Sequence, residues 1–201
     1  MKLLRAAAAA CIAFAVAQAI AAPEEFNIDP SHTYPGFAVR HLGISTQRGR
    51  FDKTTGKIVL DRDASQGSVE IAIDTTSIST GSPQLDRVLR AEDFFDVEKH
   101  PRITFKSRTV EFERGVLRSA RGDLTMLGVT RPVTLSIEHF GCTQLPFLVR
   151  TTCGADMSTT LSRSAFGMGA FMAFIGDEVR IMIQVEAVRL EPPAEPAPAG
   201  G

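Results

Sequence analysis

From Phe26 to Leu190 the chain is dominated by an apolar–polar alternation of period two. Val69, Ile71 and Ile73 alternate with Glu70, Ala72 and Asp74, and Val133, Leu135 and Ile137 with Thr134, Ser136 and Glu138. Val179, Ile181, Ile183 and Val185 alternate with Arg180, Met182, Gln184 and Glu186. Successive side chains of a strand point to opposite faces, so each run reads as a strand with one apolar and one mainly polar face. The same reading places strands at Gly36–Leu42, Gly49–Phe51, Lys57–Asp61, Ile103–Ser107, Thr109–Glu113, Val116–Ala120, Gly122–Leu127 and Phe147–Ser158. Turn signals stand at Thr55-Gly56, Gln66-Gly67, Arg114-Gly115, Leu127-Gly128 and Gly176-Asp177. One helix is expected, over Pro83–Phe94, with Ser82 as its cap, Pro83 in its first turn, and Leu85, Val88 and Leu89 on one side.

About eight alternating strands in one domain predict an all-β barrel or sandwich, and a barrel of that size can enclose one slender ligand. In a barrel with a solvated outside, the apolar faces of the three regular runs must form the interior. Phe37, Val39, Phe51 and Phe105 are expected beside them, with Phe166, Phe171 and Phe174 lining or closing one end. The stretch Phe166–Ile175 carries three Phe and two Met among small residues. It suits either a flexible apolar guest or ordinary packing, and a segment so apolar must be covered by something.

The two ends read differently from this middle. Lys2 and Arg5 precede a short apolar run, Ala6–Ala17, followed by the small-x-small sites Ala17-Gln18-Ala19 and Ala19-Ile20-Ala21. Residues 1–21 are therefore expected to be a cleaved secretory signal; the run is too short to be read as a spanning anchor. Residues 191–201, rich in Pro, Ala and Gly, are expected to form a disordered tail. The domain proper is then 22–190, and its expected place is the periplasm or the exterior.

Composition narrows the partners. Without residues 1–21 the chain has 20 Lys+Arg against 23 Asp+Glu, a net of −3 with no basic block, which argues against nucleic acid. There are 13 Phe, one Tyr and no Trp, which favours a greasy interior over a sugar or base platform. Loss of the leader also removes Cys11 and leaves Cys142 and Cys153, an even pair that reads as a disulfide in an oxidising compartment. The rival reading, a metal or redox pair, lacks a CxxC or a close His.

No catalytic motif stands out. His32, His41, His100 and His139 form no metal-binding spacing, no GxSxG elbow occurs, and Gly167-Met168-Gly169 is not a phosphate-binding fingerprint. Glu92, Asp93, Asp96 and Glu98 cluster after the helix, but Phe94 and Phe95 sit among them, as in a loop anchored to the barrel.

Four segments resemble the YceI-like family of exported, lipocalin-like polyisoprenoid-binding proteins. They are Asp29-Pro-Ser-His-Thr with Phe37-Ala-Val-Arg-His-Leu-Gly and Gly49-Arg-Phe51; Asp93–Phe105; Gly122–Leu135; and Arg163-Ser-Ala-Phe-Gly-Met168 with Gly176-Asp-Glu-Val179. The resemblance implies an extended antiparallel barrel around a long apolar pocket that holds an isoprenoid such as a quinone tail, or another long amphiphile. It implies no cofactor, metal or catalytic residue, and it admits pairing into a homodimer. Ala165 stands where the family commonly carries an acidic residue, so no polar anchor transfers there, and the Cys142/Cys153 pair resembles only a subset of relatives. The expected function is binding of such a lipid for transport, storage or sequestration. An envelope interaction module with lipid as filler is the alternative. An enzyme on an amphiphile, with His41, Asp93 or Arg163 as first suspects, would need a polar cluster inside the pocket.

Overall fold

The computed structural model describes residues 22–144 and 150–190. The expected signal at 1–21, the expected tail at 191–201 and the start of the expected Phe147–Ser158 strand lie outside these residues. Eleven strands follow one another: β1 Glu24–Ile28, β2 Tyr34–His41, β3 Ser45–Phe51, β4 Thr54–Asp61, β5 Gln66–Asp74, β6 Ile78–Ser79, β7 Arg102–Glu113, β8 Val116–Met126, β9 Val129–Thr143, β10 Thr152–Ser162 and β11 Ile175–Arg189. Every pairing is antiparallel. Hydrogen bonding runs β1-β4-β5-β7-β8-β9-β10-β11 and returns to β1, so eight strands close a barrel. Along the same edge that pairs with β1, opposite β10, β11 carries a second neighbour, β2, and the sheet continues outward through β3 and β6.

The 15-residue length of β11 allows this double pairing. Its last residues, Ala187 to Arg189, pair with Ile28 to Phe26 of β1, whereas Val179 to Gln184 pair with Val39 to Tyr34 of β2. One strand thus completes the barrel and carries its flap.

The places where the alternation breaks are bulges, not strand ends. On β7 Arg108 is the extra residue between the pairs Ser107–Gly122 and Thr109–Arg121. The buried side chains change from odd positions, Ile103 and Phe105, to an even one, Val110. An unpaired residue switches the face of all that follow it. Thr109–Glu113 therefore continues the strand that begins at Arg102. Val116–Ala120 and Gly122–Leu127 are likewise one strand, with Arg118 as the extra residue between the pairs Glu111–Ser119 and Phe112–Leu117.

Two of the expected turns are two-residue hairpins with both residues left-handed: Arg114-Gly115 (φ 52° and 77°) and Leu127-Gly128 (φ 52° and 74°). Three others lie inside strands. Gly56 belongs to β4, where a Cβ would strike the Glu70 carbonyl of β5; here the glycine permits close backbone approach. Gln66-Gly67 opens β5, and Gly176-Asp177 belongs to β11.

The helix α1 spans Pro83–Arg90, shorter than expected, with the Ser82 hydroxyl accepting the Leu85 N–H. Beyond Arg90 the chain folds into successive turns: Phe95 N–H donates to the Leu89 carbonyl and Asp96 N–H to that of Ala91. Consecutive helical residues point about 100° apart, yet Phe94 and Phe95 are both buried. The turns let both rings reach apolar surroundings. Phe95 packs edge-on against Phe51 (5.3 Å), and Phe94 stacks on Phe171 (6.1 Å).

Polarity runs apolar inside and charged outside. The outer faces of β5, β7 and β8 carry the ion pairs Lys106–Glu70, Arg108–Asp123 and Arg121–Glu111. A membrane-spanning barrel would have the opposite arrangement, with an apolar outer band. Among the described residues no helix is long and apolar enough to cross a membrane. Cys142 and Cys153 face each other on β9 and β10 and form a disulfide, which contributes about 3 kcal/mol in the chain-entropy account.

Thr54, 1% exposed at the start of β4, has the one buried side-chain oxygen among the described residues without a hydrogen-bond partner. A desolvated, unpaired hydroxyl costs about 1–3 kcal/mol. The isosteric change Thr54→Val is therefore expected to leave stability unchanged or raise it by about 1 kcal/mol. A lower midpoint in urea melts would show that the hydroxyl is engaged.

Candidate functional site

The barrel encloses a cavity of about 550 Å³, within the usual range for small-molecule sites. Every strand of the closed ring contributes: Phe26, Ile58, Ile71, Phe105, Leu124, Leu135, Met157 and Ile183 come from β1, β4, β5, β7, β8, β9, β10 and β11 in turn, and Phe37 comes from β2. The alternation produces this wall directly, because inward positions of neighbouring strands stack in register. Ile71 lies opposite Phe105, and Ile183 opposite Met157.

Of the residues singled out in the sequence, Phe37, Val39, Phe51, Val69, Ile71, Ile73, Phe105, Val133, Leu135, Ile137, Phe171, Ile181 and Ile183 border the cavity. Phe166 does not; it is 2% exposed and packs in the core beside it. Phe174 does not either, since it is 56% exposed on the outside of the same end. Both belong to the stretch whose irregular backbone breaks the two-residue period: Ser164–Phe166 form one 3-10 turn, and Phe171 adopts φ 56°. Pattern alone misses the β10 face Cys153, Ala155, Met157 and Leu161, which also borders the cavity. The signal is present there as alternation, muted by small and hydroxylated residues.

One end of the cavity is closed by side chains from outside the barrel. Leu85, Val88 and Leu89 of α1, the Phe94/Phe95 pair and Phe171 all border it. Val88 and Phe171 are also about half exposed, so the cavity reaches the surface at this end. The polar residues at the wall include Thr33, Thr159, Gln47, His41 and Arg163.

Arg163 is 3% exposed, and its donors are committed to the surrounding backbone. Nε donates to the Gly176 carbonyl (2.9 Å), Nη1 to that of Met168 (2.8 Å) and Nη2 to that of Ile175 (3.0 Å). Burial pushes its pKa down, opposed by nearby Asp177. The planar fork thus ties the segment 168–176 to the end of β10. Asp177 completes the corner, accepting from the Ser162 hydroxyl (2.5 Å) and the Ser164 N–H (2.9 Å). The Ser162 bond, chiefly, holds its carboxyl below the ordinary value. Of the three residues considered for catalysis, His41 borders the cavity, Asp93 is exposed and off its wall, and Arg163 is a structural clamp. No hydrogen bond or ion pair among the described residues joins any two of them.

On the outer surface Asp29, His32 and Glu186 bring one ligand-type atom each within 4.8 Å of one another. Their hydrogen bonds already assign two of them a structural task. Asp29 accepts from the Ser31 N–H (2.9 Å) and hydroxyl (2.6 Å), and His32 Nδ1 lies 2.8 Å from its other oxygen. The cluster orders the turn between β1 and β2.

A closed antiparallel barrel around an apolar cavity defines a small-ligand binding architecture. The YceI-like domain model matches residues 26–187, and the chain belongs to that family. The chain is 32% identical over 189 residues to the UPF0312 protein of Pseudomonas aeruginosa, covering 94% of this chain and 98% of that one. It is 30% identical over 181 residues to the protein YceI of Escherichia coli O157:H7, covering 90% and 94%. Among solved structures, Burkholderia cenocepacia BcnA has the same fold, with TM-score 0.68, 22% identity and coverage of 79% of this chain and 98% of that one. A polyisoprenoid binding domain from Saccharophagus degradans aligns with TM-score 0.60, 14% identity and coverage of 82% and 98%.

Two outcomes are expected at this site. Arg163→Met should destabilise the protein by about 3 kcal/mol, because buried carbonyls lose a charged donor. Arg163→Lys should restore little of it, since one ammonium cannot span three carbonyls; full recovery in chemical denaturation would mean that charge, not the fork, matters. At the β1–β2 turn, Asp29 holds the His32 imidazole above its ordinary 6.5, chiefly through their hydrogen bond. The Ser31 hydroxyl, chiefly, holds Asp29 below 3.8. The stabilisation from His32 is complete below pH 6.5 and is lost as pH rises through the raised folded value. That from Asp29 is complete above 3.8 and is lost as pH falls through the lowered one. NMR titration should show His32 returning toward 6.5 in Asp29→Asn.

Proposed function

We propose that the protein is an exported, periplasmic carrier or store that holds a polyisoprenoid, such as a quinone tail, or a similar long-chain amphiphile in the barrel, without acting on it chemically. The observation that carries this reading is the cavity wall. Strand after strand presents aliphatic and aromatic side chains inward, and Arg163, the buried cation on that wall, is hydrogen-bonded to backbone carbonyls. Such a wall has affinity for methyl and methylene groups and little hold on a polar reactant. The likeness in fold to the Saccharophagus degradans polyisoprenoid binding domain supports the ligand class. The disulfide supports an oxidising compartment.

The energetics select for length. Each buried methylene contributes about 0.8 kcal/mol, so a five-carbon unit gives roughly 3–4 kcal/mol gross. Association and chain ordering oppose it by about 4–15 kcal/mol. Several units are needed before binding is tight, and a short fragment should bind weakly.

Mass spectrometry of organic extracts from natively purified protein should find a long-chain lipid. Ile71→Phe and Leu135→Phe add bulk to the wall and should shift the co-purified lipid toward shorter chains. Folded variants, checked by a cooperative melt, with an unchanged lipid profile would remove these two positions from the binding site. Wild-type protein without any bound lipid would overturn the reading itself.

A further inference from the structure

The end of the barrel at which the cavity reaches the surface carries an exposed apolar patch. The β2–β3 turn presents Leu42 and Ile44, which are 51% and 80% exposed, and the segment before β11 presents Phe171, Met172 and Phe174. The two turns are joined: Leu42 N–H donates to the Phe174 carbonyl at 2.7 Å. Leu42 and Phe171 both have left-handed backbone, with φ 52° and 56°. Large apolar residues seldom occupy exposed turns of this kind together without a partner.

The strands behind the Leu42–Ile44 turn are basic. Phe37, Val39 and His41 of β2 border the cavity, so Arg40 between them faces outward. Arg48 of β3 and Arg180 of β11 are the two ladder neighbours of Ala38, and they share that outer face; Arg48 also borders the cavity. Arg40 donates to the Gly43 carbonyl and the Thr46 hydroxyl, and Arg48 to the Thr46 carbonyl. None of the ion pairs formed among the described residues includes Arg40, Arg48 or Arg180. The carboxylates at this end are Glu92 and Asp93, next to Phe94 on the Phe171 side, and Asp177 and Glu178 of β11, of which Asp177 accepts from the Ser162 hydroxyl and the Ser164 N–H.

We propose that this end docks onto a phospholipid bilayer bearing anionic headgroups. Leu42, Ile44 and Phe174 enter the boundary between headgroups and acyl chains, and Arg40 and Arg48 meet the lipid phosphates. The spacing fits. Arg40 is two residues from Leu42 and Arg48 four from Ile44, about 7–13 Å along a strand. Interfacial apolar groups sit about 5–10 Å below the headgroup level. Turns tipped with apolar side chains suit insertion into a fluid better than a fit to a rigid protein surface, and the guanidinium groups of Arg40, Arg48 and Arg180, in no ion pair among the described residues, complement phosphate. Docked this way, the end of the cavity bordered by Val88 and Phe171 lies near the membrane, where a long-chain lipid can pass without crossing water. The proposal rests on the lipid-holding reading for its purpose, but binding to vesicles is measured separately from bound lipid.

The test is co-sedimentation of the protein with vesicles of phosphatidylcholine alone and with about one-third phosphatidylglycerol, at low and physiological salt. The wild type should partition to the anionic vesicles, less so as salt rises. Ile44→Asp and Phe174→Ser, at exposed positions off the cavity wall, should each lower partitioning roughly ten-fold or more. Arg40→Gln and Arg48→Gln should each lower it roughly five-fold, on anionic vesicles only. Ile44→Asp and Phe174→Ser should still melt cooperatively and keep the co-purified lipid of the wild type. No partitioning by the wild type, or equal partitioning by the tip variants, would overturn the docking proposal. So would a concentration-dependent dimer abolished by Ile44→Asp, which would make a second copy the occupant. Vesicle binding by protein that carries no lipid would leave the docking standing and overturn the carrier reading.

Discussion

The return of β11 to β1 is the interaction on which the rest depends. Backbone N–H and C=O groups must be paired, and a sheet that ends beside an apolar cavity would leave a row of them facing it. The pairs Phe26–Arg189, Asn27–Val188 and Ile28–Ala187 remove that edge from the ring. The inward side chains can then be mostly apolar, because the main chain of the ring strands is paired strand to strand. The free edge moves outward to the β2–β3–β6 flap, where water or short helical segments can meet it.

Polar chemistry in this molecule is correspondingly displaced to corners. Arg163 ties down the segment between β10 and β11, and Asp86 of α1 accepts from both the N–H and the hydroxyl of Thr80. Asp29 and His32 order the turn between β1 and β2. Each of these groups fixes a connection between elements, and none extends a polar network across the cavity. This division explains how a wall of ordinary core residues can remain open: the irregular segments are held by directional bonds and do not need to collapse inward.

Much of this was legible in the sequence, for a physical reason. In a barrel the inside is the apolar face, so Val69/Ile71/Ile73 or Ile181/Ile183 reveal their direction by parity alone. Parity fails where the backbone inserts a residue. The extra Arg108 made one strand look like two, and Gly56, placed for close strand contact, looked like a turn. The stretch after Arg163 could not be read by period at all. Buried Phe166 and exposed Phe174 have the same chemistry and differ only in backbone path. Likewise α1 stops at Arg90 because Phe94 and Phe95 are both buried, a demand of tertiary packing that helix propensity does not contain.

The double pairing of β11 also sets the order in which the molecule can assemble. Apart from β1–β4, the ring strands from β4 to β10 are joined to near neighbours in sequence and can form as successive antiparallel pairs. Neither β1 nor β2 can reach its place on β11 until Ile175–Arg189, the last strand among the described residues, has been made. Contacts of such long sequence separation form late, since the intervening chain must first be ordered. A nascent chain that stops short of β11 has an open sheet and no sealed interior. The ring can therefore close only once β11 is available, and the strand that completes the inner wall is also the one that carries the flap.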